Sequence, residues 1–146
     1  MATAITRSDV SRGIARLMPR IIGGVQLDFF AQRQVTQTQL LVLVALHGRG
    51  RCTMSTLARN FHISLPTATG LVDRLARPGY VRRFPNPEDR RQVMVALTEK
   101  GRAFIREFQA VIQRRWEEVL RVLSPGELAA YLRIITKLTE ALERAP

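Results

Sequence analysis

The sequence predicts a mainly helical fold that contains one small β-hairpin. Apolar residues recur every three or four positions through the first thirty and the last fifty residues, which is the period of one helix face. Residues that commonly cap helices precede several of these segments. A different pattern occupies residues 80–97, where two apolar, partly β-branched segments flank a proline-rich turn.

The first helix is predicted to begin at Ser8, with Asp9 in its first turn. Its apolar face contains Val10, Ile14, Leu17, Ile21, Val25 and Phe29. Pro19 lies inside this pattern, and because proline lacks a backbone N–H, a kink or a break is expected there.

A second helix follows a capping box, in which Thr36 is the N-cap and Gln39 is the third helical residue. Residues Leu40–Leu46 are apolar on all sides, so this helix is expected to be central and buried. A turn and a very short strand at Cys52–Met54 are predicted after it.

Two short helices are predicted next, at Ser55–Phe61 and at Ser64–Arg77. Ser64 is a candidate N-cap, Pro66 suits the first turn, and the pair Pro78 and Gly79 ends the second helix. The inward side of that helix is predicted to contain Ala68, Leu71, Val72 and Leu75.

The hairpin is predicted to pair strands at Tyr80–Phe84 and Gln92–Leu97. Thr98 and Glu99 then begin a long helix, and the segment Ser124–Glu127 resembles a cap for a last helix. The apolar residues of that last helix are Leu128, Leu132, Ile135, Leu138 and Leu142.

Composition favours one folded domain that associates with a polyanion. The chain has 146 residues, of which 46% are hydrophobic and 24% charged, and its net charge is +11. Residues 49–102 carry +7 of that charge. A positive charge of this size favours nucleic acid or an anionic membrane surface as the partner.

Several classes of protein are disfavoured. The single cysteine, Cys52, excludes an intramolecular disulfide, and together with His47 and His62 it forms no zinc spacing, so we expect no metal and no cofactor. No phosphate-binding glycine loop or nucleophile elbow is present, which argues against an enzyme. No apolar segment is long enough to span a bilayer or to act as a signal peptide, so a cytoplasmic protein is expected.

Two short helices followed by a basic hairpin predict a winged helix-turn-helix, a fold that binds duplex DNA. Small and basic residues on the outward side of the second helix suit a major groove, and arginines at the hairpin tip suit a minor groove. We expect Asp89 to orient an arginine within the wing. The candidate DNA-binding residues are Ser64, Pro66, Thr67, Thr69, Gly70, Arg74, Arg77, Asp89, Arg90 and Arg91.

Three segments resemble the MarR (multiple antibiotic resistance regulator) family: Ser64–Leu75, Gly79–Arg83 and Pro87–Gly101. The resemblance implies a homodimeric regulator, usually a repressor, that binds a palindromic operator and is often released by a phenolic or other lipophilic effector or by oxidation. It also implies that α-helical recognition residues match Ser64, Pro66, Thr67, Thr69, Gly70 and Arg74, and that the wing-tip pair matches Asp89 and Arg91.

The chain departs from this family in two places. Residues Leu75–Pro78 suggest that the recognition helix ends early. Oxidation-sensing members carry a reactive cysteine in the first helix, whereas Cys52 precedes the winged motif, so we interpret it as a packing residue.

Residues 1–146 are assigned to a single domain, with a winged part at about 36–98 and dimerisation helices at about 8–31 and 99–144. The flanking helices have more apolar surface than one small winged motif covers, which predicts a twofold dimer with recognition helices about 34–36 Å apart. The candidate residues of an effector pocket are Met18, Phe29, Phe30, His47 and Trp116.

Two other functions remain open at this point. A protein that binds nucleic acid regardless of sequence, such as a nucleoid or RNA-associated protein, would also use a charge of +11. A basic amphipathic helix that binds membrane surfaces is the third alternative.

Overall fold

The computed structural model describes residues 5–30, Arg33 and residues 35–144, with the backbone alone at residues 26–28 and Phe30. The elements are α1 (Arg7–Phe30), α2 (Gln37–Arg49), β1 (Arg51–Thr53), α3 (Met54–Asn60), α4 (Leu65–Ala76), β2 (Val81–Pro85), β3 (Val93–Leu97), α5 (Glu99–Leu120) and α6 (Pro125–Glu143). This mainly helical fold with a small antiparallel sheet confirms the predicted fold class.

The chain forms two compact units. The terminal unit contains the described residues of Met1–Val25 and Ile112–Pro146, and the central unit is Gln26–Val111. The predicted boundaries of a single domain stay a prediction.

Helix α1 is capped by Thr6 rather than by Ser8. The backbone N of Thr6 donates to Asp9 Oδ2 (3.0 Å), and the backbone N of Asp9 donates to Thr6 Oγ1 (3.2 Å). The hydrogen bonds from the Thr6 hydroxyl and backbone N–H hold the pKa of Asp9 below its ordinary value. The helix therefore starts at Arg7, and its cap lies two residues before the predicted cap at Ser8.

Of the kink or break expected at Pro19, the break is wrong, because α1 continues through Pro19 to Phe30, and the kink stays a prediction. Proline removes one backbone donor and clashes with the preceding turn, which costs about 3 kcal/mol in a helix interior. Burial of Ile21 and Val25 on the following turns, each 4% exposed, offsets that cost.

The core of the central unit lies between α2, α3, α4, the sheet and the first turns of α5. Its largest fully buried side chains are Phe29, Leu43, Leu46, Leu57, Leu75 and Ile105. The rings of Phe104 and Phe108 pack against Phe29 edge-on, with centroids 5.0 and 5.1 Å away.

Helix α2 begins with the predicted capping box. The side chain of Thr36 accepts from the backbone N of Gln39, and the side chain of Gln39 accepts from the backbone N of Thr36. The prediction of a helix buried on all sides is wrong for Leu41 (56% exposed) and Val44 (42% exposed). Only one side of α2 contacts the core of its unit, so an apolar sequence does not bury the other side.

The sheet has the strand order β1-β3-β2, and both pairings are antiparallel. The predicted hairpin of β2 and β3 is confirmed, with Arg83 opposite Val95. Strand β1 ends at Thr53, one residue earlier than predicted, because Thr53 caps α3 by accepting a hydrogen bond from the backbone N of Thr56. Its pairing with β3 was not predicted.

Residues Thr98–Gly101 attach the start of α5 to the turn before β2. The hydroxyl of Thr98 donates to the carbonyls of Gly79 and Tyr80, and Lys100 Nζ donates to the carbonyl of Pro78. Gly101 is buried, and a Cβ built on it would lie 2.1 Å from the Tyr80 carbonyl oxygen. Any side chain at residue 101 would therefore force the two segments apart.

The terminal unit contains α6, which begins with the predicted cap at Ser124 and Glu127. The hydrogen bonds from Ser124 lower the pKa of Glu127. None of the described residues of α6 is buried. In the part of the chain that the structure describes, no helix is both long enough and apolar enough to cross a membrane.

Candidate nucleic-acid interface

Helix α4 has three different sides. Ala68, Val72 and Leu75 are buried in the core as predicted, and Leu71 is half-buried. Thr69 and Asp73, one turn apart, contact strand β2 through Arg83. The remaining side carries the other predicted residues of this helix, of which Gly70 is half-buried and the rest are exposed: Pro66, Thr67, Gly70, Arg74 and Arg77.

The N-terminus of α4 is fixed by the hydroxyl of its cap. Ser64 Oγ accepts from the backbone N of Thr67 (3.2 Å), and the hydroxyls of the two residues lie 2.8 Å apart. The hydroxyls of Ser64 and Thr67 thus contact each other at the first turn of α4, and Thr67 remains exposed. The helix ends at Ala76 with Arg77 as its C-cap, which agrees with the predicted range.

Thr69 is placed differently from the other predicted residues. Its hydroxyl donates to the carbonyl of Leu65 (2.9 Å), and its own carbonyl accepts from Arg83 Nη2 (2.9 Å). Both polar groups are therefore used within the protein, and the residue faces the wing rather than the open side.

Gly70 lies on the open side with nothing near it. A Cβ built at this position would meet no atom within 4 Å, so the fold does not require a glycine there. Glycine inside a helix costs about 1 kcal/mol relative to alanine. The chain thus carries a destabilising residue on its exposed helix face without an internal reason.

The tip of the wing is held by hydrogen bonds across the turn. Asp89 Oδ1 accepts from the backbone N of Arg91 (3.1 Å), and Oδ2 accepts from Gln92 Nε2 (3.2 Å). Asp89 therefore contacts an arginine of the wing as expected, but it does so through the backbone N–H of Arg91 and not through a guanidinium group. The two-residue spacing places its carboxylate over the backbone N–H, as in an Asx turn.

Four arginines on this surface have no partner among the described residues. The guanidinium groups of Arg74 and Arg77 on α4 and of Arg90 and Arg91 on the wing are exposed and make no hydrogen bond or ion pair within residues 35–144. Unpaired guanidinium groups on one surface are suited to phosphate and guanine contacts.

Arg83 is the residue of this site that sequence reasoning missed as a contact. Its Nη1 lies 2.9 Å from Asp73 Oδ1, so it pairs with an acidic residue of α4. The alternation of strand β2 indicates only on which side Arg83 lies, the same side as the buried Val81 two residues earlier, and does not indicate its partner on α4.

A groove of about 290 Å³ lies between α3, α4 and the wing. Thr53 and Met54, Leu65 and Thr69, and Arg83 and Arg91 are among its lining residues. None of the five residues predicted for an effector pocket lines it.

Those five residues are divided between the two units. Met18 (39% exposed) and the half-buried Trp116 belong to the terminal unit, whereas Phe29 is a core residue of the central unit and His47 is exposed at the end of α2. The side chain of Phe30 lies outside the described part of the structure. The effector pocket stays a prediction.

Cys52 lies half-buried on the edge strand β1. Burial raises the pKa of its thiol, and the nearby charge of Arg49 opposes that rise only in part. A thiol in this environment is protonated at neutral pH and reacts slowly.

Comparison with known proteins identifies this architecture. A family model described as the MarR family matches residues 35–93. Three similar proteins are the HTH-type transcriptional regulator YfiV of Bacillus subtilis, the transcriptional repressor NicR of Pseudomonas putida and the multiple antibiotic resistance protein MarR of Salmonella typhimurium. They are 35%, 31% and 30% identical to this chain over 76–77% of its length, which covers 69%, 71% and 78% of theirs.

Solved structures of other proteins share the fold of this chain. RV1404 of Mycobacterium tuberculosis has a TM-score of 0.78 at 25% identity, over 97% of this chain and 98% of its own. Mutant MarR from Escherichia coli complexed with operator DNA has a TM-score of 0.57 at 24% identity, over 92% and 99% of the two chains, which shows a shared fold. The chain belongs to the MarR family and is a DNA-binding transcriptional regulator with a winged helix-turn-helix, not an enzyme.

Proposed function

We propose that the protein is a homodimeric repressor that binds a palindromic operator. The four arginines Arg74, Arg77, Arg90 and Arg91 carry this proposal, because their guanidinium groups are exposed and have no partner among the described residues. In the proposed complex α4 enters the major groove, where Arg74 meets guanine or phosphate and the methyl of Thr67 meets a thymine methyl. Arg90 and Arg91 reach the adjacent minor groove.

The exposed apolar residues of the terminal unit support the dimer. Helix α1 exposes Val10, Ile14, Met18 and Ile22, and α6 exposes Leu128, Leu132, Ile134, Ile135, Leu138 and Leu142. Apolar stripes of this length are usually covered by a partner. A second copy of the chain covers them symmetrically and supplies the second recognition helix that an inverted repeat requires.

Repression is supported by similarity, since the related protein NicR is a transcriptional repressor by name. A regulator of this kind acts on genomic DNA, so we place it in the cytoplasm. We also propose that a small phenolic or lipophilic effector weakens operator binding. Such a ligand acts only through its different affinity for DNA-competent and DNA-incompetent dimers.

The test is selection of bound fragments from genomic DNA, followed by competition between the selected site and random duplexes. We expect an inverted repeat that is preferred by about a thousandfold or more over random DNA. A ratio near one would instead support the second candidate, a protein that binds nucleic acid regardless of sequence, which the net charge of +11 favours.

The effector part is tested separately, by titrating phenolic and lipophilic acids against the preformed complex with the selected operator. We expect at least one of them to lower operator affinity. If the affinity is unchanged across the series, the effector proposal fails for these ligand classes, and the operator proposal is unaffected.

A further inference from the structure

An acidic side chain stands on the recognition helix of a strongly basic protein. Asp73 precedes Arg74 on α4, and its side chain is 48% exposed. A carboxylate close to DNA phosphates repels them, so Asp73 opposes the attraction that the net charge of +11 provides. Its contacts indicate what it contributes instead.

Asp73 and the backbone of Thr69 hold one guanidinium group between them. Arg83 Nη1 lies 2.9 Å from Asp73 Oδ1, and Arg83 Nη2 donates to the Thr69 carbonyl oxygen at 2.9 Å. The two acceptors are one helical turn apart on the same side of α4. Because the guanidinium is planar and rigid, two contacts fix its orientation, which a single contact would leave free to pivot.

Arg83 connects this contact to the wing. It lies on β2 opposite Val95 of β3, and the same two strands carry the turn with Arg90 and Arg91. The position of the wing arginines relative to the exposed side of α4 therefore depends on the contact that Arg83 makes.

We infer that Arg83 is a positioning residue, which Asp73 and the Thr69 carbonyl hold so that α4 and the wing reach adjacent grooves at the same time. This inference rests on the proposed operator binding. The pair contributes little to folding, since both side chains are partly exposed, 31% and 48%. It acts on the geometry of the DNA-binding surface.

The test uses variants for which the net charge and the Arg83–Asp73 contact predict opposite changes in operator affinity. Asp73→Asn raises the net charge to +12, Arg83→Gln lowers it to +10, and the double variant restores +11. Arg82→Gln, which also gives +10, is the matched control, because Arg82 stacks on Phe84 (4.8 Å to the ring centroid) on the other side of β2.

If Arg83 positions the wing, Asp73→Asn weakens operator binding about tenfold although it adds positive charge, and its binding to random DNA is unchanged or tighter. The double variant loses about as much operator affinity at unchanged net charge. Arg83→Lys, which keeps the charge but has no planar fork, also loses affinity. Arg82→Gln changes operator and random DNA by the same small factor.

Hydroxyl-radical footprinting distinguishes the minor-groove contact of the wing from the major-groove contact of α4. We expect protection of the minor groove beside each half-site to weaken in Asp73→Asn, while protection of the major-groove segment remains. Thermal unfolding of each variant checks that the fold is intact.

Two outcomes would overturn the inference. If Asp73→Asn binds the operator more tightly and the double variant equals the wild type, only net charge matters. If Arg83→Gln weakens all sequences equally and lowers the salt slope by about one, Arg83 is a direct phosphate contact. Failure of the proposed function looks different, since the wild type itself would then show no preference for an inverted repeat.

Discussion

The central and terminal units bury their apolar side chains to different degrees. The central unit has a closed core in which Leu43, Val72 and Val95 are fully buried. In the terminal unit, no described residue of α6 is buried, and residues such as Leu132 and Leu142 are 66% and 77% exposed. The core of the central unit is closed by packing within the chain, whereas the exposed apolar stripes of the terminal unit support the proposed dimer, in which a second chain covers them.

The largest effect is expected from charges placed in the apolar stripe of α6. Leu132→Glu together with Leu138→Glu puts two carboxylates into the proposed dimer interface, where their desolvation is costly. We expect the dimer dissociation constant to rise about a hundredfold or more, measured by analytical ultracentrifugation. Affinity for an inverted repeat should fall by a comparable factor, because two linked half-site contacts become independent.

Arg133→Glu is the control for this change, because it alters the net charge by the same two units. Arg133 is exposed on α6 and lies on the side away from the stripe, so a dimer as stable as the wild type is expected. If the double Leu variant remains dimeric at micromolar concentration, the dimer interface lies on another surface. The exposed stripe of the terminal unit would then not be explained by a second chain.

Within the central unit, the junction at Gly101 should be the most sensitive point. Gly101→Ala places a Cβ 2.1 Å from the Tyr80 carbonyl, so α5 must shift from the turn before β2. We expect a loss of about 3 kcal/mol in the free energy of unfolding, measured with urea.

Gly48→Ala in α2 is the matched control, because a Cβ there meets nothing within 4 Å. Its stability should stay the same or rise by up to about 1 kcal/mol. Equal stabilities for the two variants would show that the junction relaxes freely and that the core does not depend on it.

Local and distant contacts differ in how well the sequence predicts them. The caps at Thr36, Ser64 and Ser124 were predicted because each depends on residues three positions apart. The contact of Arg83 with Thr69 spans 14 residues and depends on how β2 lies against α4, which no short pattern encodes. Asp89 was expected to orient an arginine of the wing, and it contacts Arg91, but through the backbone N–H that the turn places beside its carboxylate.

On the DNA-binding surface, wing and helix should contribute in different ways. Arg91→Ala removes an unpaired guanidinium, so operator and random DNA should both bind about tenfold more weakly, with a salt slope lower by about one. Thr67→Ala should instead change the preferred base at fixed operator positions, as measured by selection from randomised sites. If both variants weaken binding to all DNA sequences equally, α4 does not recognise the bases of the operator.

Gly70→Ala should separate stability from binding. An alanine fits the open space and favours the helix, so the free energy of unfolding should rise by about 0.5–1 kcal/mol. The added methyl stands on the side of α4 that faces DNA in the proposed complex, so operator affinity should fall about fivefold. Gly48→Ala again serves as control, with operator affinity unchanged. A Gly70→Ala variant with unimpaired operator binding would show that the duplex does not approach α4 closely at this position.

The smallest effect on operator affinity is expected from oxidation of Cys52, which lies in the central unit. Burial raises the pKa of this thiol above its ordinary value, so the reactive thiolate is scarce at pH 7 and its fraction grows as the pH rises. Hydrogen peroxide at pH 7 should therefore change operator affinity by less than about twofold, and Cys52→Ala should respond identically. The rate of alkylation should increase with pH through pH 9 and beyond. A loss of operator binding on oxidation that Cys52→Ala abolishes would establish a thiol switch at this edge strand instead of a packing residue.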